Sequence, residues 1–288
     1  MKTDAYVKFG EMASTYGQQY VTPDLDLPKY PANVFRLNTF INLLNELKPK
    51  RVIDVGCGTA DPLLAMRKAG HDVDGFDFAE EMVAVAKTNV EKAGYSPDII
   101  FRDNMEDITH VEPGVYDCAI ALGAVYYARD FEKTIGNIAG LLPSGGHMII
   151  SLRNDLFSMY SMNDYSVEYM YRTFFPKEKL SEDLRRRLDA HMQERHKVED
   201  VEKVFETIDD RLVHTYNHNP LTVQQDILSA HGLMQKGLYF YHFHALPPIF
   251  EHTDREEFRK LSAEFEENPA DWRGMFMCST FIVHAQKA

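Results

Sequence analysis

The sequence predicts an α/β fold, a doubly wound parallel sheet with helices on both faces, and three observations carry that prediction. Strand and helix patterns alternate strictly between residues 51 and 152 of the 288-residue chain. The first strand pattern, RVIDVG, runs straight into the loop Gly56-Cys57-Gly58, a device that brings main-chain N–H groups and a helix N-terminus up to a ligand. After residue 153 the rhythm breaks into charged helical patterns and resumes before the C-terminus.

The elements follow in order. Residues 4–20 and 33–47 read as helices. In the second, Val34, Leu37, Phe40, Ile41, Leu44 and Leu47 recur at spacings of three and four, and Pro49 stops the run. RVIDVG is a short buried strand, and a helix begins at Pro62. HDVDGFD (71–77) is the second strand, AEEMVAVAKTNVEKAG a helix ending at Gly94, and DIIFRD (98–103) the third strand. YDCAIALG (116–123) is the fourth strand, FEKTIGNIAGLL a helix, and GHMIISL (146–152) the fifth strand. Residues 164–209 hold three helical patterns dense in charge. TVQQDILSAHG then reads as a helix, KGLYFYHFHAL as a strand and MFMCSTFIVHA as the last strand. The expected organisation is an N-terminal helical region over 1–48, a core from 49–154 and 216–288, and a mostly helical cap inserted at 155–215. Insertions at the carboxyl edge of such sheets cover ligands.

A formal charge of −13 with pI near 5.4 gives no basic footprint for nucleic acid, so a small molecule is the expected partner. Cys57, Cys118 and Cys278 are far apart and odd in number, which suits neither a disulfide framework nor a zinc spacing. The N-terminus lacks the apolar core of a signal peptide, and no apolar run approaches the roughly 18 residues of a membrane span. The expectation is a cytoplasmic protein with no membrane partner; a homodimer is left open.

The glycine loop does not suit a pyrophosphate. The third glycine of G-x-G-x-x-G is missing, no Lys-Ser or Lys-Thr pair follows, and Asp54 and Asp61 flank it. It favours a neutral or cationic group. Asp61 reads as a helix N-cap before Pro62. Asp77 closes the second strand at a separation that suits a carboxylate on a ribose. Asp103 closes the third, where it either accepts from the exocyclic amine of a purine or simply forms a turn. Together these describe an adenosine whose tail is not phosphorylated.

VIDVGCGTAD, VDGFDFAEEM, FRDNMEDI, YDCAIALGAVYY and LLPSGGHMII, in that order, resemble the motifs of class I S-adenosylmethionine-dependent methyltransferases. The likeness covers residues 33–153 and, more weakly, the last two strands. It implies a Rossmann-like seven-stranded sheet with an antiparallel last strand, S-adenosylmethionine at the carboxyl edge, and transfer with inversion at the methyl carbon. It further implies that Asp54, Gly56 and Gly58 face the methionine part of the cofactor and Asp77 the ribose. Asp103, with the backbone at Asn104 or Met105, would hold adenine, and Leu122 and Gly123 would border the sulfonium. Ala60 departs from the pattern, standing where many members have a third glycine. Tyr16, Tyr20 and Arg36 precede the first strand, where members often fold helices over the cofactor. Arg36 would pair with the cofactor carboxylate.

The acceptor side is read from strand ends. Tyr126 and Tyr127 follow the fourth strand beside the expected methyl position, and Arg153 and Asn154 end the fifth. Phe157, Met159, Tyr160 and Tyr165 come next, as packing or as substrate contacts. His242 and His244 lie two apart on a strand, projecting from one face as a base and its partner, or as structural residues. A metal would need a third ligand that no spacing supplies, so none is expected. Trp272 beside Arg273 suggests an anchor, with Arg273 a candidate to hold an anion. The expected function is methyl transfer to a small polar metabolite, a sugar or natural-product intermediate, with oxygen favoured over nitrogen. The catalytic candidates are His242, His244 and Tyr126. The substrate candidates are Tyr127, Arg153, Asn154, Tyr160 and Arg273. The alternative is a non-catalytic cofactor-binding module whose acidic helical insertion docks a partner.

Overall fold

The computed structural model describes Leu25, residues 30–174, Glu178, and residues 180–195 and 216–288. The helix expected over 4–20, with Tyr16 and Tyr20, and the insertion's segment 196–215 lie outside the described residues.

Helix α1 (Ala32–Leu47) buries Leu37, Phe40, Leu43 and Leu44, the face that its three-and-four spacing dictates. β1 (Val52–Val55) is buried along its whole length, as befits a strand covered on both faces. It pairs in parallel with β2 (Val73–Asp77) on one side and β4 (Cys118–Ala121) on the other. Helix α2 (Asp61–Lys68) joins β1 to β2, and α3 (Glu80–Lys92) joins β2 to β3 (Ile100–Arg102). Helix α4 (Phe131–Gly140) leads into β5 (His147–Asn154), which is parallel to β4. Because β2 and β3 lie on one side of β1 while β4 and β5 lie on the other, the strand order reverses there. A crevice opens at the carboxyl ends of β1 and β4.

The insertion begins with α5 (Phe157–Ser161), α6 (Asp164–Thr173) and α7 (Glu182–Arg195). A two-residue strand, β6 (Asn217–His218), adds to β5 at Arg153 and Asn154. β7 (Leu233–Phe243) and β8 (Cys278–Lys287) complete the sheet in the order β3-β2-β1-β4-β5-β8-β7. β8 runs antiparallel to both neighbours, so the seven-strand architecture with an antiparallel last strand is present, β6 being a short addition. Alternate residues of the strands feed two cores: Met148 and Ile150 face one side, Ile149 the other.

The structure corrects the sequence reading in the last third. The expected helix over 222–232 is present over 224–231, but as a π-helix (Gln224–Leu228) running into a 3-10 turn (Ser229–His231) and not as an α-helix. The last strand begins only at Cys278, after a helical turn, α10 (Gly274–Met277). At Gly274 the chain crosses Phe240 so closely that a Cβ would lie 2.3 Å from that side chain. Between β7 and α10 lie α8 (Phe250–Thr253) and α9 (Arg255–Glu266), which the sequence reading did not place. Asp61 falls inside the first turn of α2; the cap position belongs to Ala60, at φ 66.

Candidate active site

The crevice is built first by the loop after β1. The N–H groups of Gly56 and Cys57 both donate to the Phe76 carbonyl (2.9 Å each), which folds the loop over the end of β2. Gly56 has φ +75, and a Cβ there would come within 2.6 Å of the Ala124 Cβ. Only glycine lets these two loops meet. The Gly58 N–H donates to Asp77 Oδ2 (3.0 Å) and the Ala79 N–H to Asp77 Oδ1 (2.9 Å). Asp77 is thereby fixed between the loop and the start of α3, with a further lone pair on each oxygen for a ligand hydroxyl. Burial pushes its pKa up, and the N–H donors of Ala79, Gly58 and Phe78 pull it back.

Asp54 is 1% exposed, and its Oδ1 has no hydrogen-bond partner among the described residues. Burial, with the neighbouring Asp77 charge, pushes its carboxyl up to about 7, against which the Arg36 charge acts. Arg36, itself buried, reaches in from α1. Its Nη1 lies 2.3 Å from where a Cβ on residue 123 would stand, and its guanidinium sits 5.7 Å from the centre of the Tyr241 ring. Gly123, at φ +83, makes that approach sterically feasible.

At the other end, the buried Asp103 carboxylate accepts from the N–H groups of Asn104 (2.9 Å), Thr109 (3.1 Å) and His110 (2.9 Å). It closes the loop that follows β3, and that loop lines the crevice. The crevice encloses about 860 Å³, part of it open to solvent. Gly56, Gly58, Asp77, Asp103, Asn104, Met105, Leu122 and Gly123 all border it, joined by Phe76, Phe78, Met82, Ala124 and Tyr127. Glu106 and Arg129 also border it, a pair that the sequence reading missed; the Arg129 N–H donates to Glu106 Oε1 (2.6 Å).

A run of aromatic and cationic groups leads away from Gly123. The Tyr126 hydroxyl stands 3.1 Å from the same virtual Cβ, and the Tyr126 and Tyr127 rings are 4.6 Å apart. The Arg153 guanidinium lies 5.2 Å from the Tyr126 ring centre and close enough to His242 to depress its pKa. The His242 and His244 rings are 4.5 Å apart. His244 is buried and His242 half-buried, and desolvation holds both neutral, His244 down to about 4. The Ser279 hydroxyl and His242 Nδ1 are 2.8 Å apart, and His244 Nδ1 is 3.0 Å from the His242 carbonyl. That carbonyl can only accept, so Nδ1 of His244 carries the proton and Nε2 the free lone pair.

Three other candidates are placed differently. Asn154 gives its amide to the carbonyls of Gly274 (3.4 Å), Met275 (2.9 Å) and Cys278 (2.8 Å) and accepts from the Leu156 N–H (3.0 Å). Its side chain ties β5 to α10, with its polar atoms spent on main chain. Arg273 chelates Asp271 at the surface (3.0 and 2.6 Å) over the Phe265 ring, and Trp272 beside it is 67% exposed rather than an anchor. The Tyr160 hydroxyl donates to the Ala245 carbonyl (2.9 Å), holding α5 against the end of β7.

The fold and the crevice define a class: an α/β protein that receives a nucleoside, with no cation on the glycine loop to meet a phosphate. Asp77 borders the crevice with the acceptor chemistry a ribose would need, and the orphaned, buried Asp54 oxygen and Arg36 have the charges an ammonium and a carboxylate would need, though neither is among the residues that border the crevice. The chain belongs to the methyltransferase domain family, whose model matches residues 33–195. It is 30% identical over 156 residues to the ubiquinone biosynthesis O-methyltransferase of Vibrio parahaemolyticus, a match spanning 53% of this chain and 63% of that one. It is 26% identical over 145 residues to the protein of that name from Pectobacterium carotovorum, spanning 50% and 60%. Thus the matched region spans less than two thirds of these relatives. Among solved structures, magnesium protoporphyrin IX methyltransferase of Synechocystis PCC 6803, with bound S-adenosylhomocysteine, superposes with a TM-score of 0.54 at 14% identity. That match covers 99% of this chain and 100% of the other. A methyltransferase of Thermotoga maritima gives 0.53 at 13%, over 98% and 99%. The fold is that of the class I S-adenosylmethionine-dependent methyltransferases. Among the described residues no helix is long and apolar enough to cross a membrane.

Proposed function

We propose that the chain transfers a methyl group from S-adenosylmethionine to a hydroxyl oxygen of a small polar metabolite. When bound, the cofactor supplies a methyl carbon on a sulfonium: the S–CH3 bond breaks as the O–CH3 bond forms, in line, and the hydroxyl proton leaves. Asp77 would hold the ribose hydroxyls and the backbone at Asn104 and Met105 the adenine. Asp54 and Arg36 would take the ammonium and carboxylate. Tyr127 walls the crevice, and with Tyr126 packed against it would exclude water from the reacting atoms. A hydroxyl acceptor benefits from a base, and His244, neutral with Nε2 unprotonated, can receive its proton, with His242 packed against it. Arg153 would fix an electron-rich group of the acceptor.

The observation that carries the reading is the placing of Tyr126 against Gly123 at the crevice edge, with Arg153 over its ring and the neutral, mutually packed His242 and His244 near Arg153. The O-methyltransferase names of the sequence relatives support oxygen. The test is transfer of labelled methyl from S-adenosylmethionine to a panel of phenols, sugars and amines. Hydroxyl compounds are expected to take the label, and His244→Ala to lower kcat by about 10²–10⁴-fold with cofactor affinity unchanged. Label on amines alone, or unchanged turnover in His244→Ala, would overturn it.

A further inference from the structure

Helix α1 brings Arg36 against Gly123 at the edge of the crevice, yet its own start is weakly defined. Pro31 stands at the cap position, and no side chain caps the first turn. What fixes the entering chain is α9. Arg259 Nη1 donates to the Leu25 carbonyl (2.9 Å), and the Tyr30 hydroxyl donates to Glu266 Oε1 (3.1 Å). Arg259 and Glu266 are seven residues apart, two helical turns, and so share a face. Glu266 is buried, and its Oε1 also accepts the Phe243 N–H (2.9 Å), which ties the latch to the end of β7. The Tyr30 ring stacks on His242 (5.6 Å, 19°), while Arg36 lies over the ring of the preceding strand residue, Tyr241. Adjacent residues of β7 therefore support the two ends of the stretch from Tyr30 to Arg36.

We infer that Glu266, acting through Tyr30, is a positioning residue: it seats the first turns of α1 so that Arg36 reaches the cofactor beside Gly123. This rests on the functional reading above only in taking Arg36 as the partner of the cofactor carboxylate. The binding site is thereby completed by a helix more than 200 residues away in sequence, and a change in α9 is felt as a change in cofactor affinity. Loss of the part-buried hydrogen bond from Tyr30 to Glu266 is expected to weaken the site about tenfold.

The test is calorimetric binding of S-adenosylhomocysteine to the full chain and to Tyr30→Phe, Glu266→Leu, Glu266→Gln and Arg36→Ala, alone and combined. Tyr30→Phe keeps the stacked ring and removes the hydroxyl, so it tests the latch even should Glu266→Leu fail to fold. Tyr30→Phe is expected to bind about tenfold more weakly, as Glu266→Leu does when folded. Glu266→Gln, whose carbonyl oxygen still accepts from Tyr30 and Phe243, restores wild-type affinity. In the Arg36→Ala background Tyr30→Phe costs nothing further, because the latch acts through Arg36. Wild-type affinity in Tyr30→Phe, or losses that add to that of Arg36→Ala, overturns the inference. A wild-type chain that binds no S-adenosylhomocysteine overturns the functional reading instead. The latch is then read by amide exchange over residues 32–40, which Tyr30→Phe accelerates if Tyr30 seats the helix and leaves unchanged if it does not.

Discussion

The sharpest prediction concerns Asp54. Its carboxyl, enclosed next to Asp77, is held up to about 7 in the free protein. A cationic ammonium can pair with it only when it is ionised. Near neutrality the free site therefore carries about half a proton, which binding must expel. The sign follows: affinity for S-adenosylhomocysteine rises with pH until the carboxyl is fully ionised and is then flat. Relative to that plateau, the dissociation constant is expected to be about twofold higher at pH 7, roughly tenfold at pH 6 and roughly a hundredfold at pH 5. Calorimetry in buffers of different ionisation enthalpy reads both the constant and the proton released. Asp54→Asn keeps the shape and removes the charge. It is expected to flatten the profile and, on the plateau, to bind about ten- to a hundredfold more weakly, the worth of a hydrogen bond to a charged group. Arg36→Ala removes the charge that opposes the upward shift, so its profile should bend at higher pH. A wild-type profile flat from pH 5.5 to 8.5 with no proton release would refute the assignment of Asp54 to the ammonium.

Gly123→Ala, at φ +83 with a Cβ 2.3 Å from Arg36 Nη1, should displace the guanidinium and weaken S-adenosylhomocysteine binding about tenfold by calorimetry. Glu266 is pushed up to about 8 by burial, so between its ordinary value of 4.5 and 8 the native state holds a proton that the unfolded chain has released. Stability is lost as pH rises through that window, by about 1.4 kcal/mol per unit, and urea unfolding of Glu266→Gln should show about 3 kcal/mol of it recovered at pH 7 and little at pH 4.5. Asn154→Ala strips donors from three carbonyls and an acceptor from the Leu156 N–H, and should cost about 3 kcal/mol in unfolding while leaving cofactor affinity unchanged.

Apart from Arg36 on α1, the residues proposed for the cofactor were picked out because each sits at or just past the end of a strand. Asp54, Gly56, Asp77, Asp103 and Gly123 lie within a few positions of the strand that places them, and strand ends in this fold gather at one edge. Asp103 shows the limit of such reading. Its position at the edge was legible, but that three N–H groups of its own loop would claim its oxygens depends on how the chain folds back at Thr109 and His110. Asn154 is the same lesson at greater range, because its partners lie more than 100 residues away. The helix expected over 222–232 forms, but as π and 3-10 turns, for another reason. Gln224 spends its amide on Ser229 Oγ and the Leu233 carbonyl and its Oε1 on the Gln235 N–H, which ties the widened helix to the start of β7.

The acceptor half is assembled by topology. Tyr126, Arg153 and His242 come from β4, β5 and β7, and β8 is inserted between the last two strands, bringing Ser279 to His242. Strand ends named Tyr126, Arg153 and His242 as candidates, but no local pattern announces Ser279 beside His242, since sequence order and spatial order part company at β8. Glu266 was invisible for the same reason: within α9 it is one acid among several, and only contact with Tyr30 and Phe243 sets it apart. Selectivity for the acceptor should therefore lie in residues that touch across β5, β8 and β7 and in the chain that α9 pins over them. Exchanges at Arg153 or Tyr30 are expected to redistribute activity among hydroxyl acceptors. Exchanges at Gly56 or Asp77 should lower activity toward all of them equally, and an equal loss across acceptors for both sets would show that the two halves are not separate.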